Sequence, residues 1–457
     1  MNIPELIANQ KSYFASQQTK VVSFRKNALK KLLKELLKRE DDIVKALHND
    51  FKKSEYEAVM TETSIVIAEL KMAIKNIYSW SKPKRVLPSL LNFPSSAKIY
   101  KEPYGTVLII APWNYPYQLA FAPLVGAIAA GNTVVLKPSE LTPHTSAITK
   151  EIIEAVFDNN HVAVVEGGVP IAQELLAQRW DYIFFTGSVP VGKIVAKAAA
   201  EHLTPITLEL GGKSPCIVDE TANIKLAAKR LVWGKFINGG QTCIAPDYLL
   251  IHTSVKKQFI THFKEEIFRA YGENPKASND FPRIVNTRNF DRLALMLKNE
   301  NCVIGGDTDR EERYIAPTLI DEPSLDSEVM KGEIFGPIFP MISYNTEQDI
   351  ENITSKYDKP LALYVFTNKS SFAKKMIQRY SFGGGTINDT TVHFANHRLP
   401  FGGVGESGIG GYHGKQTFDS FSHKKGVVTR GTWIDIPTRY APYKGKLKQL
   451  KTLMKLS

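Results

Sequence analysis

The run TVLIIAPWNYP, residues 106–116, decides the fold of this 457-residue chain. Residues 107–111 are apolar without interruption, as in a parallel strand that is buried on both faces. Pro112, Trp113 and Asn114 follow at once. The stretch therefore predicts a buried strand of an α/β sheet and, after Ala111, a loop in which a cofactor should lie.

Strand-like and helix-like segments alternate after this run. Strands are predicted at 133–137, 162–166 and 182–186, and helices at 121–130, 146–157, 171–177 and 191–201. A second unit of the same kind follows Gly211, with helices at 222–236 and 255–271 and strands at 248–252 and 363–366. Such alternation is typical of doubly wound parallel sheets with helices on both faces. The chain is therefore predicted to be an α/β protein with two parallel-sheet domains.

The composition is that of a globular protein with more than one core. The net charge of +12 comes mostly from lysines, and no basic stripe interleaved with aromatic residues indicates nucleic acid as a partner. Three cysteines, far apart and odd in number, favour a reducing compartment over a disulfide framework. Neither a signal peptide nor an apolar run of ~18 residues is present. We therefore expect a cytoplasmic protein.

A glycine loop, GSVPVGK at 187–193, lies between a predicted strand and a predicted helix. A phosphate-binding P-loop needs Ser or Thr next to hold magnesium, and Ile194 occupies that position, which argues against an NTPase. The G-x-G-x-x-G fingerprint is also absent. A glycine loop at a helix N-terminus still suits a diphosphate, through backbone N–H groups and the helix dipole. An ordinary tight turn is the alternative.

Cys243 and Glu209 are the candidates for covalent chemistry. Cys243 follows Asn238–Thr242, a loop of small and polar residues in which a thiolate and an oxyanion could both be stabilised. Cys216 and Cys302 lie beside apolar, strand-like residues and are expected to be structural. Glu209 closes a strand-like run, where it could act as a base towards the thiol or towards a water.

No metal site is predicted, and His393 and His397 are expected not to bind a metal ion. The three cysteines do not have the spacing of zinc ligands. His393 and His397 are four residues apart, but they lack the glutamate of an H-E-x-x-H helix, and Asn396 favours a loop.

Seven motifs, in order, give the whole chain a resemblance to the aldehyde dehydrogenases. They are Ala111–Pro116, Lys137–Glu140, Phe185–Ser188, Leu208–Lys213, Gly240–Cys243, Glu333–Pro337 and Leu399–Gly403. The short N-terminus, Asn114 after Trp113, GGYHGK at 410–415 and FSH at 421–423 resemble the class 3 branch in particular. That branch acts on aromatic and on medium- to long-chain aliphatic aldehydes. The resemblance also implies a homodimer.

The resemblance implies a role for each catalytic candidate. Cys243 would attack the aldehyde carbon, and the Asn114 amide with the Cys243 backbone N–H would stabilise the oxyanion. Glu209 would activate the water that hydrolyses the resulting thioester. The substrate pocket is expected to be formed by positions such as Tyr115, Trp233 and the 391–397 loop.

The cofactor implied by the resemblance is NAD or NADP. Its expected binding residues are Pro112, Trp113, Lys137, Glu140, Gly187, Ser188, Gly192, Glu333 and Phe335. The carboxylate of Glu140 should repel a 2′-phosphate, so NAD is slightly favoured. One position departs from the family pattern, because Gly332 replaces the first of two acidic residues. This departure concerns only a supporting contact.

The resemblance also implies a division of the chain. The expected units are a cofactor domain at 1–81 and 103–209, a catalytic domain at 210–395, a bridging and oligomerisation segment at 82–102 and 396–430, and a basic tail at 431–457. Leucines at three-residue spacing between the lysines of the tail predict a short amphipathic helix. This helix could dock on the body or on a partner subunit, or contact an anionic membrane peripherally.

Two rivals to this interpretation remain. A coenzyme A-acylating enzyme of the same fold would pass the thioester to a thiol, and such enzymes generally lack a base at the Glu209 position. A non-catalytic protein derived from an enzyme would be expected to lose Cys243, Glu209 or Asn114 first, and all three are present.

Overall fold

The computed structural model describes residues 2–89, 92, 94–435 and 437–455. Parts of the predicted bridging segment 82–102 and of the tail 431–457 lie outside these residues. No described helix is long and apolar enough to cross a membrane.

Helices and strands alternate much as predicted. The helices are α1 Ile3–Ala15, α2 Val22–Lys38, α3 Glu40–Phe51, α4 Glu55–Ala58, α5 Ser64–Ser81, α6 Gln118–Ala130, α7 Pro143–Val156, α8 Val169–Leu176, α9 Val189–Ala200, α10 Ile224–Phe236, α11 Lys256–Tyr271, α12 Thr287–Met296, α13 Glu328–Lys331, α14 Glu347–Thr354, α15 Ser370–Arg379, α16 Lys415–Ser420 and α17 Leu447–Met454. The strands are β1 Lys84–Val86, β2 Ser95–Pro103, β3 Thr106–Ile110, β4 Thr133–Lys137, β5 Val162–Val164, β6 Tyr182–Thr186, β7 Ile206–Glu209, β8 Pro215–Val218, β9 Tyr248–His252, β10 Cys302–Ile304, β11 Thr308–Asp309, β12 Tyr314–Ile315, β13 Thr318–Asp321, β14 Ile338–Tyr344, β15 Ala362–Phe366, β16 Gly384–Ile387, β17 Gly408–Ile409 and β18 Ser422–Arg430.

The first sheet has the order β17-β7-β6-β3-β4-β5. Strand β3 lies inside the sheet with all five residues buried, as its apolar run predicts. Its pairing with β6 and β4 is parallel, and only β17 runs antiparallel, beside β7. Helix α6 is buried along its whole length. The carboxyl ends of β3, β4, β6 and β7 therefore meet along one edge, where ligands bind in such sheets.

The second sheet has the order β10-β13-β14-β9-β8-β15-β16. It is parallel apart from β10, which pairs antiparallel with β13 at one edge. Cys216 is fully buried in β8, and Cys302 is partly exposed in the edge strand β10. Two doubly wound parallel sheets were predicted, and the structure confirms this fold class.

A third, antiparallel sheet has the order β1-β2-β18. Strand β18 pairs with β2 over nine residues, from Ser422 opposite Pro103 to Arg430 opposite Ser95. Segment 396–430 thus contributes to three parts of the fold. Strand β17 joins the first sheet, α16 packs on α6, and β18 joins the third sheet. The predicted domain boundaries stay a prediction.

A buried ion pair fixes the loop between β3 and α6. Lys53 Nζ lies 2.6 Å from Glu62 Oε1, and both side chains are fully buried. The other carboxylate oxygen of Glu62 accepts hydrogen bonds from the backbone N–H groups of Tyr117 (2.9 Å) and Gln118 (3.2 Å), at the start of α6. A carboxylate is favoured there by the helix dipole and by the unpaired N–H groups. One acidic side chain therefore neutralises a buried lysine and holds the chain just after Asn114.

We predict that Glu62→Gln lowers the free energy of unfolding by roughly 3–5 kcal/mol, because it removes the carboxylate that forms the ion pair with the buried charge of Lys53. Thermal unfolding followed by circular dichroism, together with denaturant titration, measures the change. The control is Glu328→Gln, which breaks the exposed pair of Glu328 with Lys331 and should leave stability nearly unchanged. Equal effects of the two substitutions would contradict this account of the buried pair.

Candidate active site

The loop that carries Cys243 has an unusual backbone. After α10 ends at Phe236, residues Asn238, Gly239 and Gly240 all adopt positive φ, at 55°, 62° and 73°. Left-handed conformations of this kind favour glycine and asparagine. A Cβ on Gly240 would also collide with the carbonyl group of Gly336. The sequence Asn-Gly-Gly is therefore what allows the chain to turn sharply just before the cysteine.

Buried side-chain amides lock this loop to the loop after β3. Asn238 Nδ2 donates to the carbonyl oxygens of Asn114 (2.8 Å) and Gln241 (3.1 Å). The Asn114 amide donates to the Gln241 carbonyl at 3.2 Å. Gln241 donates to the carbonyls of Asn238 and Arg283 and accepts from the Val285 N–H. The predicted oxyanion donor Asn114 is thus held beside the cysteine loop.

Glu209 ends β7 as a buried and unpaired acid. Its side chain is about 2% exposed, and neither carboxylate oxygen has a hydrogen-bond partner among the described residues. Burial raises the pKa of this carboxyl well above its usual range. Burial also raises the pKa of the Cys243 thiol, and the charges of Glu333 and Glu209 raise that pKa further. Both groups therefore favour their neutral forms in the ligand-free site.

Cys243 and Glu209 face the same cavity of about 450 Å³. Tyr115, Trp233 and most of the 391–397 loop line it, as predicted. Further apolar walls come from Met60, Ile65, Leu119, Ile237, Leu361 and Phe401. The hydroxyl groups of Tyr115 and Thr242 are 2.7 Å apart, which ties the aromatic wall to the residue before the cysteine. The cavity therefore suits an apolar molecule that brings one reactive group to the sulfur.

The predicted cofactor residues lie at the carboxyl ends of the first-sheet strands. Lys137 ends β4 and is almost fully buried, and its Nζ lies 3.0 Å from Glu140 and 3.1 Å from the Pro138 carbonyl. Ser188 caps α9 by position without a side-chain bond to the helix. Gly192 lies against Leu210, where a Cβ would approach to 2.7 Å.

Glu333, Phe335 and Trp113 form the other side of the predicted cofactor site. The rings of Trp113 and Phe335 meet edge-to-face with centroids 5.2 Å apart. Burial, and then the charge of Asp247, raises the pKa of Glu333 to about 8. A side chain at Gly211 would collide with the Glu333 carboxylate. Gly332 has open space around it, so its departure from the family pattern disturbs no packing.

These residues fit a polar dinucleotide next to the cysteine. The Thr186 hydroxyl at the end of β6 and both oxygens of Glu209 at the end of β7 are buried, and none of them has a hydrogen-bond partner in the described part of the chain. The first N–H groups of the twelve-residue helix α9 follow directly after Gly187 and Ser188. Unsatisfied polar groups and an open helix N-terminus along one sheet edge are what a ribose-diphosphate chain requires. The individual residue roles stay predictions.

Sequence reasoning missed the acidic residues that support this site. Glu57 Oε1 accepts the Asn238 backbone N–H at 2.8 Å from a position 181 residues earlier in the chain. Burial raises the pKa of Glu57 to about 7, although the charge of Lys53 opposes this. Glu69 likewise meets His397 and His413, in a group close enough to hold a metal ion. No local spacing signals such partners.

Comparison with known proteins identifies the family. The model of the aldehyde dehydrogenase family matches residues 2–427. The chain belongs to the aldehyde dehydrogenase family, and it is an oxidoreductase that oxidises aldehydes.

Two relatives within the family are similar to this chain over most of its length. The chain is 49% identical to a 4,4′-diaponeurosporen-aldehyde dehydrogenase of Staphylococcus aureus, over 100% of both chains. It is 44% identical to mouse aldehyde dehydrogenase family 3 member A2, over 92% of this chain and 86% of that one. These relatives confirm the resemblance to the aldehyde dehydrogenases.

Solved structures agree with the fold. The substrate-bound state of Staphylococcus aureus AldH, 49% identical, superposes with a TM-score of 0.97 and covers 99% of this chain and 100% of that one. Glyceraldehyde-3-phosphate dehydrogenase GapN of Methanocaldococcus jannaschii, complexed with NADP, is 25% identical with a TM-score of 0.84 and covers 93% of each chain. A Mycobacterium tuberculosis aldehyde dehydrogenase complexed with NAD⁺ is 24% identical, covers 94% of this chain and 90% of that one, and matches in fold with a TM-score of 0.84.

The titration of Glu57 should lower the free energy of unfolding as pH rises from about 4.5 to 7. We predict that Glu57→Gln makes this decrease smaller. The folded-state pKa of about 7 lies above the usual 4.5, so the contribution of the protonated acid is full below pH 4.5 and is lost as pH rises through 7. Glutamine keeps an acceptor for the Asn238 N–H but cannot ionise. Denaturant midpoints of wild type and variant across this range measure the difference. Parallel pH profiles would show that Glu57 does not titrate in this way.

Proposed function

We propose that the chain oxidises aromatic or medium- to long-chain aliphatic aldehydes to carboxylic acids with NAD⁺ or NADP⁺. The observation that carries this proposal is the pairing of Cys243 with the unpaired acid Glu209 on one largely apolar cavity, next to the buried amide of Asn114. A thiol, a base and an amide donor are the three groups that a covalent aldehyde oxidation needs from the protein.

In the first half-reaction the Cys243 thiol gives its proton to a solvent water, and Sγ forms a bond to the aldehyde carbon. The carbonyl oxygen becomes an oxyanion, which the Asn114 amide and the Cys243 backbone N–H would stabilise. One N–H of the Asn114 amide is used by the Gln241 carbonyl at 3.2 Å, so the other is free to donate. When bound, the nicotinamide ring supplies the acceptor for the hydride that leaves the former aldehyde carbon, and a thioester of Cys243 remains.

In the second half-reaction Glu209 takes a proton from water, and the water oxygen attacks the thioester carbon. The Cys243–carbon bond breaks, the proton held by Glu209 passes to the departing sulfur and restores the thiol, and the carboxylic acid is released. A raised pKa makes Glu209 a stronger base than an exposed carboxylate once it is ionised. Its unpaired oxygens leave both lone-pair sets available for a water. The presence of this base supports hydrolysis over transfer to coenzyme A.

We assign the cofactor contacts by the family pattern. Lys137 and Glu140 would contact the adenosine ribose, Gly187, Ser188 and Gly192 the diphosphate, Glu333 the nicotinamide ribose, and Pro112, Trp113 and Phe335 the surface around that ring. Glu140 is partly exposed and about 3 Å from Lys137, so its charge is only partly neutralised. A carboxylate in this position favours NAD slightly over a cofactor with a 2′-phosphate.

A homodimer is proposed from the shape of the third sheet. Strand β18 is a nine-residue edge with largely exposed side chains, among them Val427 and Val428. The free edge of such a strand presents backbone N–H and C=O groups with which a strand of a second chain can pair. In the tail, Leu447 and Leu450 of α17 are 62% and 46% exposed, so much of their apolar surface is left uncovered by their own chain. A partner subunit or an anionic membrane surface remains as the proposed contact of this helix.

We predict that Cys243→Ala abolishes aldehyde oxidation, because the sulfur that forms the covalent bond is absent. Binding of NAD⁺ should persist, since the side chain does not hold the cofactor. NADH formation at 340 nm and calorimetric titration of NAD⁺ measure the two properties. Cys302→Ala, which alters a cysteine outside the cavity, is the control and should keep full activity. Turnover of Cys243→Ala at the wild-type rate would refute the covalent mechanism.

We predict that Glu209→Gln gives one equivalent of NADH per site in a burst, followed by slow turnover. The first half-reaction would still take place, while the hydrolysis that needs the base would fall by ~10²–10⁴-fold. Stopped-flow measurement of NADH separates the two phases. An unchanged steady-state rate would show that another group activates the water.

We predict a higher kcat/KM for apolar aldehydes that fill the cavity than for short ones. Each additional buried CH₂ group contributes about 0.8 kcal/mol at most. Rates for benzaldehyde, hexanal and a C12–C18 series, each with NAD⁺ and NADP⁺, measure both preferences. Formation of acid without coenzyme A in the same assays distinguishes hydrolysis from acyl transfer. Equal kcat/KM across the series, or a strict need for coenzyme A, would contradict the proposed activity.

A further inference from the structure

Three side chains from distant parts of the sequence meet behind one wall of the substrate cavity. Glu69 lies on α5, His397 ends the 391–397 loop and His413 lies just before α16. The carboxylate oxygen Oε1 of Glu69 is 3.2 Å from His397 Nδ1 and 3.6 Å from His413 Nε2. One ligand atom from each residue lies within 4.8 Å of the other two. Both histidines line the cavity that contains Cys243.

The two distances from Glu69 fit a zinc coordination shell. Zinc bonds to imidazole nitrogen and carboxylate oxygen are about 2.0–2.2 Å long, so neighbouring ligand atoms of a tetrahedral ion lie ~3.3 Å apart. The two distances from Glu69 Oε1, 3.2 and 3.6 Å, bracket this value. Two imidazoles and one carboxylate are a known zinc ligand set, whereas Mg²⁺ and Ca²⁺ prefer oxygen ligands alone.

A simpler explanation accounts for only part of the group. Glu69 Oε1 accepts hydrogen bonds from His397 Nδ1 and from the Gly414 N–H at 3.1 Å, and these bonds alone could tie the loop to α5. They leave out His413, which is about 2% exposed. Neither of its ring nitrogens makes a hydrogen bond of normal geometry among the described residues. The Glu69 carboxylate, 3.6 Å from Nε2, replaces only part of the solvation that this buried imidazole loses.

We propose that Glu69, His397 and His413 form a binding site for a zinc ion in the wall of the cavity. The ion would satisfy the unpaired Nε2 of His413 and would join α5, the 391–397 loop and the segment before α16. Three protein ligands leave a fourth position for water. Since both histidines line the cavity, that position would be reached from the substrate side. This inference stands on the three ligands and does not depend on the proposed aldehyde range.

The cysteine thiol is the main competing ligand and must be removed from the test. Full-length Cys243→Ala protein, freed of metal with a chelator and dialysed, is titrated with Zn²⁺ by calorimetry and by competition with a chromogenic chelator. The expected result is one Zn²⁺ per chain. With Co²⁺ as a probe, the absorption spectrum should lack a thiolate-to-metal charge-transfer band. No zinc binding in the Cys243→Ala protein would overturn the proposal.

Ligand variants in the same background locate the ion. His413→Asn and Glu69→Gln should each weaken zinc binding more than ~100-fold, because changes outside the ligand shell already cost 10–100-fold. Glu69→Gln keeps an acceptor for the Gly414 N–H and serves if His413→Asn fails to fold. The matched control is His393→Asn in the same loop, which lies outside the group and should keep the wild-type affinity. Loss of affinity in His393→Asn, or retention in both ligand variants, would overturn the assignment.

Discussion

The hydrogen-bond lock between Asn238 and Gln241 is the constraint on which the rest of the site depends. Both amides are fully buried, and between them they use the carbonyls of Asn114 and Arg283 and the N–H of Val285. Buried amides are costly unless their partners are present, so the network strongly favours one arrangement of the loop. That arrangement determines where Cys243 projects and brings Asn114 beside it. Positive φ at three consecutive residues is tolerated because these hydrogen bonds hold the backbone in that conformation.

The electrostatics of the cavity follow from this enclosed geometry. Burial disfavours the charged forms of both Cys243 and Glu209, and no lysine or arginine is among the described residues that line the cavity. Burial therefore favours a thiol and a carboxylic acid in this largely apolar cavity. Charge that forms there during a reaction is poorly screened, so donors such as the Asn114 amide act more strongly than they would in water. Burial has the same effect on Glu333, in the proposed cofactor site, where it raises the pKa to about 8.

The fold could be predicted from the sequence largely because strand burial leaves a local pattern. The apolar runs ending at Ala111, Lys137 and Thr186 became β3, β4 and β6 almost residue for residue. Helix starts were less accurate: α6 begins at Gln118 and not at Phe121, because its first turn is stabilised from outside by Glu62. The two-residue strand β17 was not predicted, since its only signal is a partner, β7, about 200 residues earlier in the chain.

The candidate site shows the same difference between features with a local sequence signal and features that depend on distant partners. The cysteine loop and the end of β7 could be found because glycines, small polar residues and a strand-terminal acid are local signals. The supporting acids Glu57 and Glu69 could not be found from local signals. Glu57 reaches Asn238 and Glu69 reaches His397 across 181 and 328 residues, and a buried carboxylate on an amphipathic helix has no local pattern to distinguish it from a surface one.

The central claim is that Cys243 carries the acyl group between the two half-reactions. Acid quenching of the enzyme during turnover with an aldehyde and NAD⁺, followed by proteolysis and mass spectrometry of the cysteine peptides, tests it most directly. The account predicts that the peptide containing Cys243 gains the mass of the acyl group, while those containing Cys216 and Cys302 remain unmodified. An acyl group on another residue, or an unmodified Cys243 peptide throughout turnover, would contradict the account.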